Sequence, residues 1–316
     1  MMARTARLKV TEGPGWYHLW ARAATYDGEF PLERSGCKRK LVELLLHYAA
    51  AYCCRLAGWC VMGNHWHTVL QMEAVGRLRR DELLRRARLL YPGTKGREMI
   101  ARWGVKEWRR LHRRLFDVSE LMRNVQAAFA RWYNDTYGRR GRFWAERFGS
   151  TVLEGEAAVL DALLYVELNS VRAGLVQKPE DYEYSSIYMR RTGRSRELVT
   201  LEELVGVEGR RAAMREYMNV LYCRGSIPTR EGQARIPERV LDRERSRGFR
   251  QPGMFLKRLS YFAGGVVVGT EVLVRQHLER LRRKGRYAQR RNPIRHLEGV
   301  HFSLREQRGA RRLISG

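Results

Sequence analysis

Two imidazoles stand two residues apart in this chain, His65 and His67, with Trp66 between them and the run Gly58-Trp59-Cys60-Val61-Met62-Gly63-Asn64 leading in. In an extended strand residues i and i+2 point the same way, so both rings leave one face and Trp66 turns to the other. Neutral imidazoles suit a divalent cation, and a working site needs at least one more ligand and a group that reacts. With 8 His in 316 residues, about 0.2 such pairs arise by chance, so the spacing acquires meaning only from its company. That company is a helix read from about 155 to 173. Its apolar stripe is Leu160, Leu164, Leu168, Val171 and Leu175. At about 100° per residue Asp161, Tyr165, Asn169 and Arg172 form a second stripe, roughly 90° from the first.

A tyrosine nucleophile serves phosphodiester chemistry in which the product must stay attached for later rejoining. The free phenol titrates near ~10, so at neutral pH it needs a cation or a base beside it. An ion held by His65, His67 and the side-chain oxygen of Asn169 would polarise the scissile phosphate and fix it for attack by Tyr165. Tyr165 and Asn169 are one turn apart, so one docking of the helix presents both. The plain alternatives are a His pair on a solvated strand face and a half-buried Tyr bonded to a carbonyl. Tyr133 and Tyr137 are rival nucleophiles, but neither has an amide or carboxylate one turn on that could join the two His. Cys53, Cys54 and Cys60 could supply thiolates to a zinc site with the His pair, although no Cys-x-x-Cys spacing exists.

The elements that must position these groups are legible in outline. Trp16 to Ala23 has strand character, and the apolar spacing of Leu41, Leu44, Leu45, Tyr48, Ala49 and Tyr52 predicts a helix over about 38–56. Trp59 to Met62 and Trp66 to Met72 read as two strands joined through Gly63-Asn64. Residues 73–116 hold 14 Lys/Arg against 5 Asp/Glu, with Pro92-Gly93 dividing two Arg-rich helical pieces: an inserted basic arm. Asp117 to Glu120 carries N-capping residues for a helix that stops before Gly138. The basic turn Arg139-Arg140-Gly141-Arg142 follows, and Phe143 to Val152 reads as a strand. Beyond about 190, Glu202 to Tyr222 reads as helical, and Pro228 and Pro237 mark a linker. The Gly-rich run from Tyr261 to Gly269 reads as a turn before a helix and a candidate DNA-docking element. No Walker-type Lys-Ser/Thr follows that run, so no ATP use is expected.

Composition points to the partner. Lys and Arg number 61 against 34 Asp and Glu, a net charge of +27 that exceeds what solubility requires and implies a polyanion. Aromatic residues interleave with the arginines (Trp103, Trp108, Trp132, Tyr133, Tyr137, Phe143, Trp144), a mixture that can grip phosphates and stack on unpaired bases. Arg139, Arg140, Arg142 and Arg147 around the basic turn, with Arg172 beside Tyr165, are the candidate DNA contacts. No apolar stretch approaches the roughly 20 residues of a membrane span, so no membrane partner is expected. Five Cys without a framework spacing argue for a reducing compartment, hence a cytoplasmic, nucleoid-associated protein.

Taken together, His65-Trp66-His67, the helix with Tyr165-Val166-Glu167-Leu168-Asn169 followed by Val171-Arg172-Ala173-Gly174-Leu175, and Arg142-Phe143-Trp144-Ala145-Glu146-Arg147-Phe148 resemble the single-tyrosine HUH transposases. The REP-associated tyrosine transposases are the branch the chain looks most like, over about residues 14–190. The resemblance implies an α+β, ferredoxin-like core with a central antiparallel sheet flanked by helices. It also implies cleavage and rejoining of single-stranded, hairpin-forming DNA with Mg²⁺ or Mn²⁺ through a 5′-phosphotyrosine on Tyr165. Ser170 departs from the Pro that relatives often carry, and the arm at 73–116 is longer than usual.

The expected organisation is therefore a core over 1–190, interrupted by the arm, and a basic, mainly helical DNA-binding region over 191–316. The resemblance leaves open a homodimer, and with it whether the tyrosine helix completes its own subunit's site or its partner's. The rival functions are a non-catalytic protein that holds structured nucleic acid and a zinc-stabilised structural protein.

Overall fold

The computed structural model describes residues 8–25, 28–228, 232–246, 265–283, 294–296 and 301–305. The chain begins with β1 (Gly15–Arg22), α1 (Cys37–Ala51), β2 (Cys54–Val61) and β3 (His65–Met72). The basic arm follows as three helices, α2 (Arg80–Leu90), α3 (Gly93–Ala101) and α4 (Val105–Leu115). Next come α5 (Val118–Tyr137), β4 (Gly149–Leu153), α6 (Glu156–Glu167) and the four-residue α7 (Asn169–Arg172). The remainder is α8 (Ser186–Arg191), α9 (Leu201–Val205), α10 (Arg210–Gly225), α11 (Glu238–Ser246), β5 (Gly265–Gly269), α12 (Glu271–Arg283), β6 (Ile294–His296) and β7 (His301–Arg305).

One sheet runs through the molecule in the order β2-β3-β1-β4-β5-β7-β6. Each of its first four strands runs antiparallel to its neighbours among them. With α1 between β1 and β2, and α5 between β3 and β4, they make the β-α-β-β-α-β pattern of a ferredoxin-like core. β5 then joins β4 in parallel, through Val152 with Val267 and Leu153 with Val268. The C-terminal region thus contributes strands to the core sheet as well as helices.

Strand alternation sorts the side chains onto two faces. Tyr17, Leu19 and Ala21 of β1, Trp59 and Val61 of β2 and Trp66 and Leu70 of β3 bury against α1 and α5. The opposite face carries Cys60, Met62 and Val69, covered by α6 and, behind it, by side chains of α9 and α10. His18, His65 and His67 are in phase with this second face. Two glycines permit the close packing. A Cβ on Gly58 would come within 2.4 Å of Ser186 Oγ and 2.5 Å of Leu163 Cδ1, and one on Gly149 would overlap the Trp20 indole.

Several boundaries differ from the sequence reading. The arm holds three helices, because Gly104 starts a new one: its backbone N–H donates to Glu107 Oε2 at 3.0 Å. The strand expected from Phe143 is only five residues long. Phe143, Trp144 and Phe148 instead tuck into the α1/α5 core, with Trp144 Nε1 donating to Gln126 O at 2.8 Å. Tyr133 is also buried there, and Trp103 and Trp108 pack edge to face within the arm. Base stacking by Tyr133, Phe143 or Trp144 would therefore require them to leave a core. Gly265 to Gly269 is a paired strand, not a turn, and Tyr261 to Gly264 lie outside the described residues. Among the described residues no helix is long and apolar enough to cross a membrane.

Candidate active site

α6 carries Tyr165, and its seating is fixed by a buried polar cluster. Glu167, fully buried at its C-terminal end, accepts hydrogen bonds from Ser186 Oγ and Tyr217 Oη, both at 2.5 Å. Burial raises its carboxyl pKa, opposed by the nearby Arg190 cation. Ser186 Oγ also accepts from Trp59 N at 2.9 Å, and Arg190 Nη2 donates to Ala57 O and Val199 O at 2.7 and 3.0 Å. β2, α6, α8 and α10 are thereby tied at one point. The helix expected over 155–173 is interrupted at Leu168, where α7 begins. Leu160 is half-buried and Leu175 exposed, while Leu164, Leu168 and Val171 are buried as their stripe predicts.

Tyr165 is thus held over the imidazoles. Its ring centroid lies 5.8 Å from that of His67 and 5.8 Å from that of His18, both edge to face. His65 and His67 centroids are 5.1 Å apart. His65 Nδ1 donates to Asn64 Oδ1 at 2.7 Å, and His67 Nδ1 lies 3.0 Å from His18 Nε2. Burial, with Arg22 adding, pushes the His65 pKa down to about 4. Burial and its two His neighbours hold that of His67 well below the ordinary value. Both rings are therefore neutral at physiological pH, and both engage Nδ1, which leaves Nε2 to face a cation.

The phenol also meets a cation. The Arg172 guanidinium carbon lies 5.5 Å from the Tyr165 ring centroid. Arg172 is 9% exposed, and its Nε and Nη1 are buried without a hydrogen-bond partner. Burial lowers its pKa to about 10, with Arg224 contributing. Arg224 itself pairs with Asp161, Nη2 to Oδ1 at 3.0 Å. Asn169, one turn beyond Tyr165, donates from Nδ2 to Tyr165 O and Val166 O at 2.9 and 3.2 Å, which leaves Oδ1 as its free ligand atom. Its hydrogen bonds run back to the last turn of α6, and none reaches the His pair.

Among the described residues no three His, Cys, Asp or Glu side chains form a cation-holding group. A divalent ion here would be held by His65 and His67 Nε2, with its remaining positions filled by the Asn169 amide oxygen, water or phosphate oxygens. The neutral, oriented imidazoles fit that role. Burial pushes the Cys60 thiol up to about 12 and those of Cys53 and Cys54 to about 11 and 12, and among the described residues none of the three groups with the His pair.

The rival tyrosines lie elsewhere. Tyr133 is buried on the α1/α5 side of the sheet. Tyr137 Oη donates to Ser35 O at 2.6 Å, and its Cys37 contact and burial push the phenol up to about 12. Arg139, Arg140, Arg142 and Arg147 are all exposed in the turn after α5. That turn runs along the end of β1: Ala24 N donates to Phe143 O at 2.7 Å and Ala145 N to Arg22 O at 2.9 Å. Arg22 is the register partner of His65, so the basic turn lies at the His65 end of the site.

Two features went unread in the sequence. His18 is fully buried and completes a row of three imidazoles. On α4, Lys106, Arg109, Arg110 and Arg113 recur at three and four, all exposed and with no ion pair among the described residues. By contrast Arg79, Arg85, Arg86 and Arg114 of the arm are neutralised by Asp81, Glu82 and Glu120.

No known protein-family profile matches the chain. No curated protein matches it either. A solved structure of the REP-associated tyrosine transposase bound to a REP hairpin aligns with 60% of this chain and 86% of that one, at 14% identity and a TM-score of 0.39. A likeness that slight decides nothing about activity.

Proposed function

We propose that this protein cleaves and rejoins single-stranded, hairpin-forming DNA through a covalent tyrosine intermediate, as a transposase or repeat-processing enzyme resembling the REP-associated tyrosine transposases. The observation that carries the reading is one phenol, Tyr165, packed against the imidazoles of His67 and His18 and 5.5 Å from the Arg172 guanidinium, two of whose nitrogens lack a hydrogen-bond partner. In the reaction the Tyr165 oxygen attacks the scissile phosphorus and the bond from phosphorus to the 3′-oxygen breaks. The DNA 5′ end then remains as a phosphotyrosine, and the phenolic proton is balanced by protonation of the leaving 3′-oxygen. Attack by the freed 3′-hydroxyl of another strand reverses these steps and restores the phenol.

Each residue has a role in that scheme. Arg172 offers positive charge to the developing phenolate and to the phosphate, in a water-poor setting where such charge acts strongly. His65, His67 and the Asn169 oxygen would hold Mg²⁺ or Mn²⁺, which when bound supplies Lewis-acid polarisation of the phosphate. Arg139, Arg140, Arg142 and Arg147 grip the backbone at the His65 end, and the α4 stripe contacts the hairpin stem. Tyr165 lies beside its own chain's imidazoles, so a monomer can hold the whole set.

The test is incubation with end-labelled single-stranded hairpin DNA and Mn²⁺, read as a covalent adduct on a denaturing gel. The adduct is expected for the native protein and absent for Tyr165→Phe. An adduct that persists in Tyr165→Phe overturns the assignment of the nucleophile. Tight, salt-sensitive binding with no adduct would favour the non-catalytic alternative.

A further inference from the structure

We propose that His18 is a positioning residue that sets the tautomer of His67 and so makes its Nε2 a cation ligand; this rests on the metal-dependent reading above. The ground is a single buried contact, His18 Nε2 to His67 Nδ1 at 3.0 Å, between side chains 0% and 4% exposed. β1 and β3 are paired so that His18 stands opposite Val69 and Trp20 opposite His67, which sets His18 diagonally beside His67 on the site face. The two rings stack at 19° with centroids 5.1 Å apart, so neither can turn without displacing the other.

The contact holds one proton, which one ring gives and the other accepts. If His18 donates, the His67 proton sits on Nε2 and that ring cannot ligate. If His67 donates from Nδ1, its Nε2 lone pair is free, and His18 accepts on Nε2 with its own proton on Nδ1. The second arrangement is the one a cation selects, and it repeats what Asn64 does for His65, whose Nδ1 donates to Oδ1. Each candidate ligand thus has its own acceptor behind it. Such partners behind a ligating imidazole raise its basicity and fix its orientation.

The experiment compares Mn²⁺ binding, by titration calorimetry at neutral pH, for the native chain, His18→Phe and His18→Gln. The Gln side chain places an acceptor at the same number of bonds from Cβ as His Nε2, whereas Phe fills the space and accepts nothing. His18→Phe is expected to bind Mn²⁺ about 10- to 100-fold more weakly, and His18→Gln to recover most of that loss. Native-like affinity in the Phe variant overturns the proposal, as does equal weakening in both variants.

Long-range ¹H–¹⁵N spectra of the native protein read the tautomer directly and need no variant. A proton on His67 Nδ1 supports the proposal, and one on Nε2 refutes it. Failure of the metal reading looks different, because the native chain would then bind no Mn²⁺ while the spectra still report the His67 proton.

Discussion

Replacing Arg172 by Met should stabilise the protein while it impairs the reaction. The guanidinium is 9% exposed, and two of its nitrogens lack partners. Its lowering from the ordinary arginine value to about 10 corresponds to about 3 kcal/mol by which folding disfavours the charged form. The sign holds throughout the neutral range: a cation whose folded pKa is lowered costs stability at every pH below that pKa. Met fills a similar volume without a charge to desolvate. Against the gain stands the lost contact with the Tyr165 ring, about 1 kcal/mol. The net is about 2 kcal/mol. For roughly 260 folded residues the melting entropy is about 0.5 kcal/mol/K, so the melting temperature should rise by about 4 °C. Differential scanning calorimetry of the DNA-free protein measures this, and the adduct gel run in parallel should show at least a tenfold loss of cleavage. A variant that melts at or below the native temperature would refute the idea that this charge is held unpaired at a cost to folding.

Other perturbations follow from the same geometry. Changing Lys106, Arg109, Arg110 and Arg113 of α4 together to Ala should flatten the plot of log affinity against log salt for a duplex-stem hairpin by about 3 to 4, close to 0.9 for each lost phosphate contact; an unchanged slope in fluorescence anisotropy would remove this stripe from the interface. Acidification should unfold the protein early, because the unfolded chain takes up a proton at His65 near pH 6.5 while the folded site resists until about 4. His67, held well below its ordinary value, resists likewise, so stability should then fall by about 1.4 kcal/mol per pH unit for each of the two imidazoles, as urea titrations at successive pH values would show, and a flat profile from pH 6.5 to 4 would contradict the burial argument. Glu167→Ala strips the acceptor from the buried Ser186 and Tyr217 hydroxyls and should cost about 2–5 kcal/mol in denaturant unfolding; a cost under about 1 kcal/mol would show that the cluster does not seat α6.

What the sequence disclosed and what it hid separate along one physical line. Local patterns were readable: the His-x-His phase on β3, the one-turn spacing of Tyr165 and Asn169 although the helix breaks between them at Leu168, and the Asp117 cap, whose Oδ1 accepts from Ser119 N at 2.7 Å. Features created by pairing distant segments were not. His18 became part of the site only because β1 and β3 pair in one particular register, and nothing local marks it apart from the alternation of Trp16, His18 and Trp20. Phe143 and Trp144 look like strand residues or base-stacking groups, yet the cavity beside Phe129 claims them. The unpaired guanidinium of Arg172 was visible only as one more basic residue, since burial is a property of the assembled core. Even the missed stripe on α4 needed the structure to show which arm cations Glu82, Asp81 and Glu120 had already neutralised.

The parallel pairing of β5 with β4 has a consequence for how the chain is made. β4 is complete when Leu153 leaves the ribosome, but the strand that covers its edge begins about 110 residues later, at Gly265. At ~5–20 residues per second the nascent core waits on the order of ten seconds with an open row of backbone donors and acceptors. During that interval it offers a template for association with other chains, and ribosome-bound holdase chaperones would have their reason to visit this protein there.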